Sequence, residues 1–345
     1  MPTNRSVHTK RNTIIWNQLK LSLGFVINLP LKNRDSIWVT RTDAIGDLVL
    51  SLPALGFLKA GLGPESEINL LVDRSNRDLA EWAQFNKLCT HFYTIDSKGV
   101  IESESKEALK PASAAISLVV DKRLGKFFKN ISAEFTLGPR TKISSLWIFS
   151  ESISQNRSRV EKSEMEYNLD LVRAFLQSKK IPVPTFTGLP SLQIPENWQF
   201  PRPHPHYWVL VVSNRGSAKN LPIEFYVKKA HEILKLDSET HVEFLVKGWD
   251  AKQRLEFLRQ DRISKEKRVS IIEGFEDLKT LVGYLSKARG VVSSSTGPLH
   301  LAHALGVHSI GYYPKKKVES FKRWRPAGYW HRAPLEFFEI DNETP

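Results

Sequence analysis

Three short stretches of the chain place the residue types of group transfer directly after apolar runs. The first is Arg41-Thr42-Asp43-Ala44-Ile45-Gly46-Asp47-Leu48, behind Ile37-Trp38-Val39-Thr40. Gly46 allows a tight backbone turn. Asp47 falls at a helix start, where its carboxylate could take part in catalysis. The same Asp suits a plain N-cap, and Thr42 and Asp43 suit ordinary turn positions. The second stretch is Ser213-Asn214-Arg215-Gly216-Ser217-Ala218-Lys219-Asn220-Leu221-Pro222, behind Tyr207-Trp208-Val209-Leu210-Val211-Val212. Its small residues expose backbone N–H groups near a helix N-terminus, and Lys219 adds a positive charge, a combination that fits phosphate or diphosphate. A solvated loop with an incidental lysine has the same composition. The third is Val292-Ser293-Ser294-Ser295-Thr296-Gly297-Pro298-Leu299-His300. It offers hydroxyls and N–H groups to a second part of the same anion, or a Ser/Thr turn that caps the helix. His300 equally suits a core histidine, and His303 falls on another face of that helix. No GxGxxG and no Walker lysine accompany the first stretch, so the usual nucleotide fingerprints are absent. Taken together, the three turns predict a diphosphate-bearing donor held by the C-terminal half, with Asp47 approaching from the N-terminal half.

The elements that must position these turns alternate between short β-like runs and helical runs, the pattern of parallel α/β domains. Strands are predicted at Ile37–Thr40, Ile68–Val72, Phe92–Ile95 and Ile116–Val120, with helices from about Leu48 to Ala60 and from Met165 to Ser178. Seven of the 19 prolines (Pro182, Pro184, Pro190, Pro195, Pro201, Pro203 and Pro205) then fall between Ile181 and His206, a stretch that cannot be regular helix and reads as a linker. A second series follows. It has strands at Tyr207–Val212, His241–Val246, Ser270–Ile272, Val291–Ser293 and Ser309–Tyr312, and helices from Pro222 to about Leu236, Leu278 to Ala288 and Pro298 to Leu305. The expected division is 1–35 as an N-terminal segment, 36–180 and 207–345 as two α/β domains, and 181–206 as the linker. Ligands of such sheets bind outside the carboxyl ends of the strands, here in the cleft between the halves.

The chain has 345 residues, enough for two domains. Hydrophobic residues make up 41% and charged residues 25%, which excludes collagen-like, coiled-coil and mainly disordered classes. The 50 Lys and Arg against 37 Asp and Glu leave a net charge of +13, pointing to a polyanionic partner. The one cysteine, Cys89, permits neither an intrachain disulfide nor a cysteine-rich zinc site. Residues 14–29 are apolar but interrupted by Asn17, Gln18 and Lys20, and no small-x-small cleavage site follows. The stretch is too short and polar to span a bilayer. It suits an interfacial helix with Arg5, Lys10, Arg11, Lys20, Lys32 and Arg34 toward anionic lipid, or an ordinary helix packed on the domain.

Arg41 to Asp47, the following Leu52-Pro53-Ala54-Leu55, and Ser295-Thr296-Gly297-Pro298-Leu299-His300-Leu301-Ala302-His303-Ala304-Leu305-Gly306 resemble glycosyltransferase family 9, the ADP-heptose:lipopolysaccharide heptosyltransferases. Glu166-Tyr167-Asn168-Leu169 and Lys317-Val318-Glu319-Ser320-Phe321-Lys322-Arg323-Trp324 also resemble family segments, and the likeness runs from about Ser36 to Pro334. The resemblance implies a GT-B architecture of the α/β class, with two Rossmann-like domains facing across a cleft. It implies an inverting transfer without metal or other cofactor, from a nucleotide sugar to a lipopolysaccharide core or related lipid-linked glycan. In that picture Asp47 is the general base and Lys219 holds the donor phosphate, with Ser217, Ser295, Thr296, Gly297 and His300 on the donor side. Ser295 stands where many members carry Asp, which removes a carboxylate from the sugar side. Arg215-Gly216 likewise replaces the usual Pro-Gly of the lysine loop.

The chemistry suits these residues: one base for the acceptor hydroxyl, and positive charge or N–H dipoles for the departing diphosphate. Hydrolytic glycosidases need a carboxylate pair, and no second carboxylate stands out in the sequence. Lys122, Arg123, Lys126, Lys129, Arg140 and Lys142 gather in the N-terminal half. Of these Arg123, Lys126 and Arg140, together with Thr42, are the expected contacts for an anionic glycolipid acceptor, although a solvated helix face has the same composition. A second basic cluster comprises Lys315, Lys316, Lys317, Lys322, Arg323 and Arg325. The expected location is the cytoplasmic face of the inner membrane. A basic nucleic-acid-binding protein, or a family member that binds sugar nucleotide without transferring it, are the alternatives; no recognised nucleic-acid motif is present.

Overall fold

The computed structural model describes residues 36–103, 109, 111–141, 145–189, 191–201, 204–212, 221–248, 251–327 and 334–341. The N-terminal segment 1–35, Lys142, and the whole Ser213–Asn220 turn with Ser217 and Lys219 lie outside the described residues.

The first half is built of β1 (Ser36–Arg41), α1 (Ile45–Val49), α2 (Leu52–Leu62), β2 (Glu67–Asp73), α3 (Arg77–Phe85), β3 (His91–Ile95), β4 (Ile101–Ser103), β5 (Ala114–Ser117), α4 (Leu124–Asn130), β6 (Thr136–Arg140), α5 (Ser145–Ile148) and β7 (Glu151–Ser154). Helix α6 (Glu164–Ser178) then packs back on the sheet through Met165, Leu169, Val172, Phe175 and Leu176. The second half contains β8 (Tyr207–Val211), α7 (Ile223–Leu234), β9 (His241–Val246), α8 (Ala251–Leu258), α9 (Asp261–Ser264), β10 (Val269–Glu273), α10 (Leu278–Leu285), β11 (Gly290–Ser294), α11 (Gly297–Ala304), β12 (His308–Pro314), α12 (Phe321–Trp324) and β13 (Leu335–Ile340).

The strands form two sheets, in the orders β4-β3-β2-β1-β5-β6-β7 and β10-β9-β8-β11-β12-β13. Every pairing is parallel except β3 with β4. In each sheet the first strand of its series lies in the middle, and the order reverses beside it, as in doubly wound dinucleotide folds. The two switch points are therefore β1/β5 and β8/β11. The turns after β1, β8 and β11 are the three stretches that the sequence singles out. Parallel sheets covered on both faces need nearly continuous apolar strands. Ser36–Arg41 and Tyr207–Val211 are buried at every position.

The expected single helix from Leu48 is two helices. Pro53 sits in the first turn of α2 and lacks the N–H that a continuous helix would need there, so the chain breaks at Leu50-Ser51 and restarts. The strand expected to reach Val120 stops at Ser117, because the Leu118 carbonyl accepts from Arg41 Nη1 (3.0 Å) and Arg157 Nη2 (3.1 Å). The sheet does not end at β12: β13 adds an edge strand whose Phe337 and Phe338 are exposed.

The proline-rich stretch is fastened to both halves. The Gln193 carbonyl accepts from Trp82 Nε1 (2.7 Å) and Asn86 Nδ2 (3.0 Å). Trp198 is buried against α10, where a Cβ on Gly283 would stand 1.9 Å from the Trp198 carbonyl oxygen. That neighbour is backbone and cannot swing aside. Gly283→Ala should cost about 1–3 kcal/mol or more by overpacking; urea denaturation reads the loss directly, and an unchanged midpoint would contradict this packing.

Candidate active site

Strand β1 delivers Arg41 into the interior with its guanidinium 1% exposed. A buried guanidinium must be paired, because its charge has lost its water. Nε stands 2.7 Å from Asp43 Oδ1, Nη2 lies 2.5 Å from Asp47 Oδ1, and Nη2 also faces Glu164 Oε1 at 3.4 Å. Nη1 donates to Asn168 Oδ1 (3.1 Å). Asn168 in turn donates to Ser51 Oγ (3.2 Å) and the Leu50 carbonyl (3.3 Å), fastening the break between α1 and α2. Ser51 Oγ donates to the Asp47 carbonyl (2.8 Å). Asp47 is thus held by its side chain and its backbone. It occupies the first turn of α1 and is not the N-cap, which is Ala44.

Glu164 begins α6, a position at a helix N-terminus that favours a carboxylate. It also accepts from Arg157 Nη1, and Arg323 of the second half faces its Oε2 at 3.6 Å. The cluster therefore balances three arginines (Arg41, Arg157, Arg323) against three carboxylates (Asp43, Asp47, Glu164). Burial raises the Asp47 pKa, Glu164 adds to the rise, and Arg41 opposes it. Burial acts on Glu164 as well, but Arg157, Arg41 and Arg323 outweigh it and hold that carboxyl below its ordinary value.

Asp47 lines a cavity of about 650 Å³ between the two halves. Ala44, Ile45, Gly46, Ser75 and Asn76 line the same cavity from the first half; Val246, Lys247, Phe275, Leu278, Ser295, Thr296, Gly297, His300 and Trp324 are among those from the second. The described walls come from the carboxyl ends of β8, β9 and β12 and from the turns that follow β1, β2, β10 and β11. The two halves meet closely here. A Cβ on Gly46 would stand 3.1 Å from His300 Cδ2, and one on Gly297 would stand 3.1 Å from Ile45 Cγ2. Only glycine at both positions lets the first turns of α1 and α11 face each other without displacing a side chain.

Thr296, the N-cap of α11, makes no side-chain cap bond; its Oγ1 pairs instead with Ser293 Oγ at 2.7 Å. The first N–H groups of this eight-residue helix therefore lack a capping side chain and suit an anion. His300 is 2% exposed, and its Nδ1 has no hydrogen-bond partner among the described residues. Burial, with His303 adding, holds its pKa down at about 3, so it meets a ligand as a neutral imidazole and supplies no positive charge.

Residues 151–332 match the model of glycosyltransferase family 9 (heptosyltransferase). The chain belongs to that family. A Haemophilus influenzae protein classed as a glycosyltransferase is 28% identical over 336 residues, spanning 89% of this chain and 94% of its own. Among solved structures, a family 9 glycosyl transferase from Veillonella parvula has a TM-score of 0.67 at 15% identity, over 89% of this chain and 86% of that one. The E. coli ADP-heptose lps heptosyltransferase II has a TM-score of 0.66 at 15% identity, over 90% and 92%. E. coli heptosyltransferase WaaC with ADP has a TM-score of 0.61 at 17% identity, over 89% and 93%. At these identities the likeness is one of fold, and the fold is GT-B.

In this glycosyltransferase the described residues singled out from sequence separate into those that line the cavity and those that do not. Asp47, Ser295, Thr296, Gly297 and His300 share one cavity. Thr42 and Arg123 are instead joined through Asp121. Thr42 Oγ1 donates to Asp121 Oδ2 (2.6 Å), Arg123 Nη2 donates to the same oxygen (2.6 Å), and Arg123 Nη1 reaches Asp73 (3.1 Å) and the Asp96 carbonyl (2.9 Å). Both are occupied within the domain and neither lines the cavity. Lys126 and Arg140 are exposed, on α4 and at the end of β6, and are not among its lining residues. Arg41, Asn168, Arg157 and Glu164, which the sequence does not single out as site residues, also belong to the cluster around Asp47. Nor does a second carboxylate stand out in the sequence, whereas Asp43 and Glu164 share Arg41 with Asp47.

Asp43 is pushed up to about 6 from 3.8 by burial, with Asp47 and Glu164 adding and Arg41 opposing. The folded state therefore holds this proton more tightly than the unfolded chain. The resulting penalty is absent below pH 4, grows as pH rises toward 6 and is constant above. Asp43→Asn should gain stability relative to the parent across that window, by roughly 1–2 kcal/mol after discounting for partial exposure, and the gap should stay level from pH 6 to 8. Denaturant melts at each pH read the gap; a flat difference from pH 4 to 6 would contradict the assignment.

Proposed function

We propose that this glycosyltransferase moves a heptose from ADP-heptose to an anionic, lipid-linked acceptor of the lipopolysaccharide core type, with inversion and without a metal. The observation that carries the reading is the juxtaposition of Asp47 with the uncapped start of α11 across one cavity. Asp47 takes the proton of the acceptor hydroxyl as that oxygen attacks the anomeric carbon. Its raised pKa makes it a better base than an exposed aspartate. The bond from the anomeric carbon to the diphosphate breaks on the opposite side of that carbon, and the leaving charge meets the Thr296–Gly297 N–H groups. Lys219, by the family resemblance, supplies positive charge to the leaving diphosphate in this proposal. The neutral His300 contributes a hydrogen-bonding ring nitrogen.

The donor choice is supported by the names of the E. coli relatives, one an ADP-heptose lps heptosyltransferase and one solved with ADP. The acceptor and the location are supported by charge. The net +13 suits a phosphorylated glycolipid, and the basic segment 1–35 suits the cytoplasmic face of an inner membrane.

A thermal-shift panel tests the donor. Ligand at a hundred times its Kd stabilises the native state by about 2.7 kcal/mol, so ADP and ADP-heptose should raise the melting point well above UDP- and GDP-sugars. A protein that no nucleotide sugar stabilises would overturn the reading. Asp47→Asn should keep the ADP shift and lose about 10²–10⁴-fold in kcat for heptose transfer; retained turnover would remove Asp47 from the role of base.

A further inference from the structure

The two halves touch at both ends of the cavity, and the two contacts differ. At the Leu278 end the contact is complete. Asp78 Oδ2 accepts from the Leu278 backbone N–H at 3.0 Å, and Lys279 Nζ lies 2.7 Å from Glu81 Oε2. At the Trp324 end, Arg325 Nη2 reaches Glu166 Oε1 at 2.7 Å, but Arg323 Nη2 stops 3.6 Å from Glu164 Oε2. That oxygen is buried and accepts no hydrogen bond from any described residue. Buried carboxylate oxygens are nearly always satisfied, and 3.6 Å is just outside hydrogen-bond range. A small further approach of the second half would supply the missing bond.

Glu164 is also the carboxylate that Asp47 shares Arg41 with. Its Oε1 faces Arg41 and Arg157 while its Oε2 faces Arg323. We infer that Glu164 is a positioning residue that couples closure of the cleft to the Asp47 base: Arg323 of the second half takes its open oxygen, and Glu164 sets the charge and the orientation that Arg41 presents to Asp47. The inference rests on Asp47 being the base. The charged groups that face Asp47 and Glu164 are Arg41 from β1, Asp43 from the loop after it, Arg157 from the turn before α6, and Arg323 from α12; Glu166 is held by Arg325 alongside. His300 packs at Gly46 from α11 as a neutral ring.

The charges predict shifts of opposite sign. Glu164→Gln removes a negative charge beside Asp47, so Asp47 should titrate at lower pH. Arg323→Ala leaves Glu164 less neutralised, so Asp47 should titrate at higher pH. Arg323→Lys keeps the charge and should stay near the parent. A role confined to scaffolding moves neither. The full chain, labelled with carboxyl-¹³C aspartate, reports the midpoint by NMR, with Asp47→Asn identifying the signal. Each displacement should be about half a pH unit or more. The acid limb of the kcat profile should follow the same two directions, and Arg323→Ala should lose at least about tenfold in kcat with its ADP thermal shift retained. Midpoints that superimpose on the parent in Arg323→Ala overturn the inference, even where Glu164→Gln fails to fold. The NMR titration needs no substrate. Variants that shift as described, in a protein that transfers no sugar, would therefore count against the proposed function and leave the Arg323–Glu164–Asp47 coupling itself standing.

Discussion

A guanidinium sealed from water cannot remain unpaired, and the first half of the molecule is arranged around that constraint at Arg41. Five groups converge on it: Asp43, Asp47, Glu164, Asn168 and the Leu118 carbonyl. They come from the loop after β1, from α1, from both ends of the first turns of α6, and from the end of β5. The same bonds explain local departures from regular structure. β5 ends where its next carbonyl turns to Arg41 and Arg157, and the break between α1 and α2 is held by the Asn168 that Arg41 orients. Removing one member of a buried ion pair typically costs about 3–5 kcal/mol, so Asp47 is fixed by the same interaction that stabilises the sheet end. Preorganisation of Asp47, the proposed base, is thereby part of folding, which suits a site where misplacement of a reacting group is costly.

The second constraint is steric. Two helix starts from different domains approach each other only where neither carries a side chain, and Gly46 and Gly297 meet that need. The approach places Asp47 against a helix start with no capping side chain, and a buried, neutral His300 fills the wall between them. That part of the wall is formed by a side chain that carries no charge.

Much of this was legible in the sequence because parallel α/β folds repeat a simple unit. Apolar runs of strand length followed by small-residue turns marked β1, β2, β3, β8, β9, β11 and β12, and the turns at the switch points carried Asp47, Thr296, Gly297 and His300. The partners of Asp47 were hidden for a physical reason. Glu164 lies 123 positions from Arg41, and Asn168 lies 127. Arg and Glu in isolation read as surface residues, and only tertiary structure shows that they bury one another. Arg123 read as a contact for an anionic acceptor because its charge is visible in the sequence, whereas its four acceptors, Asp121, Asp73 and the Asp96 and Thr42 carbonyls, are not. Strand β13 escaped because an exposed edge strand has no reason to be uniformly apolar; Glu336 and Glu339 break its pattern.

The same pairing decides where the basic surplus of the chain can act. In the C-terminal cluster Lys315 meets Asp341, Lys316 meets Glu319, Arg323 meets Glu164 and Arg325 meets Glu166, so much of that charge is neutralised at short range. Lys122, Lys126, Lys129 and Arg140 are exposed, and none forms an ion pair with a described residue. The field of exposed charges of this kind acts in solvent over about a Debye length, roughly 8 Å at physiological salt. Such a field raises the local concentration of an anion without contacting it in the bound state. On the proposed reading, these exposed residues raise the local concentration of an anionic acceptor, while the internally balanced cluster at Arg41 holds the proposed base. Guidance and chemistry then fall to different charges, one set exposed, the other buried and matched.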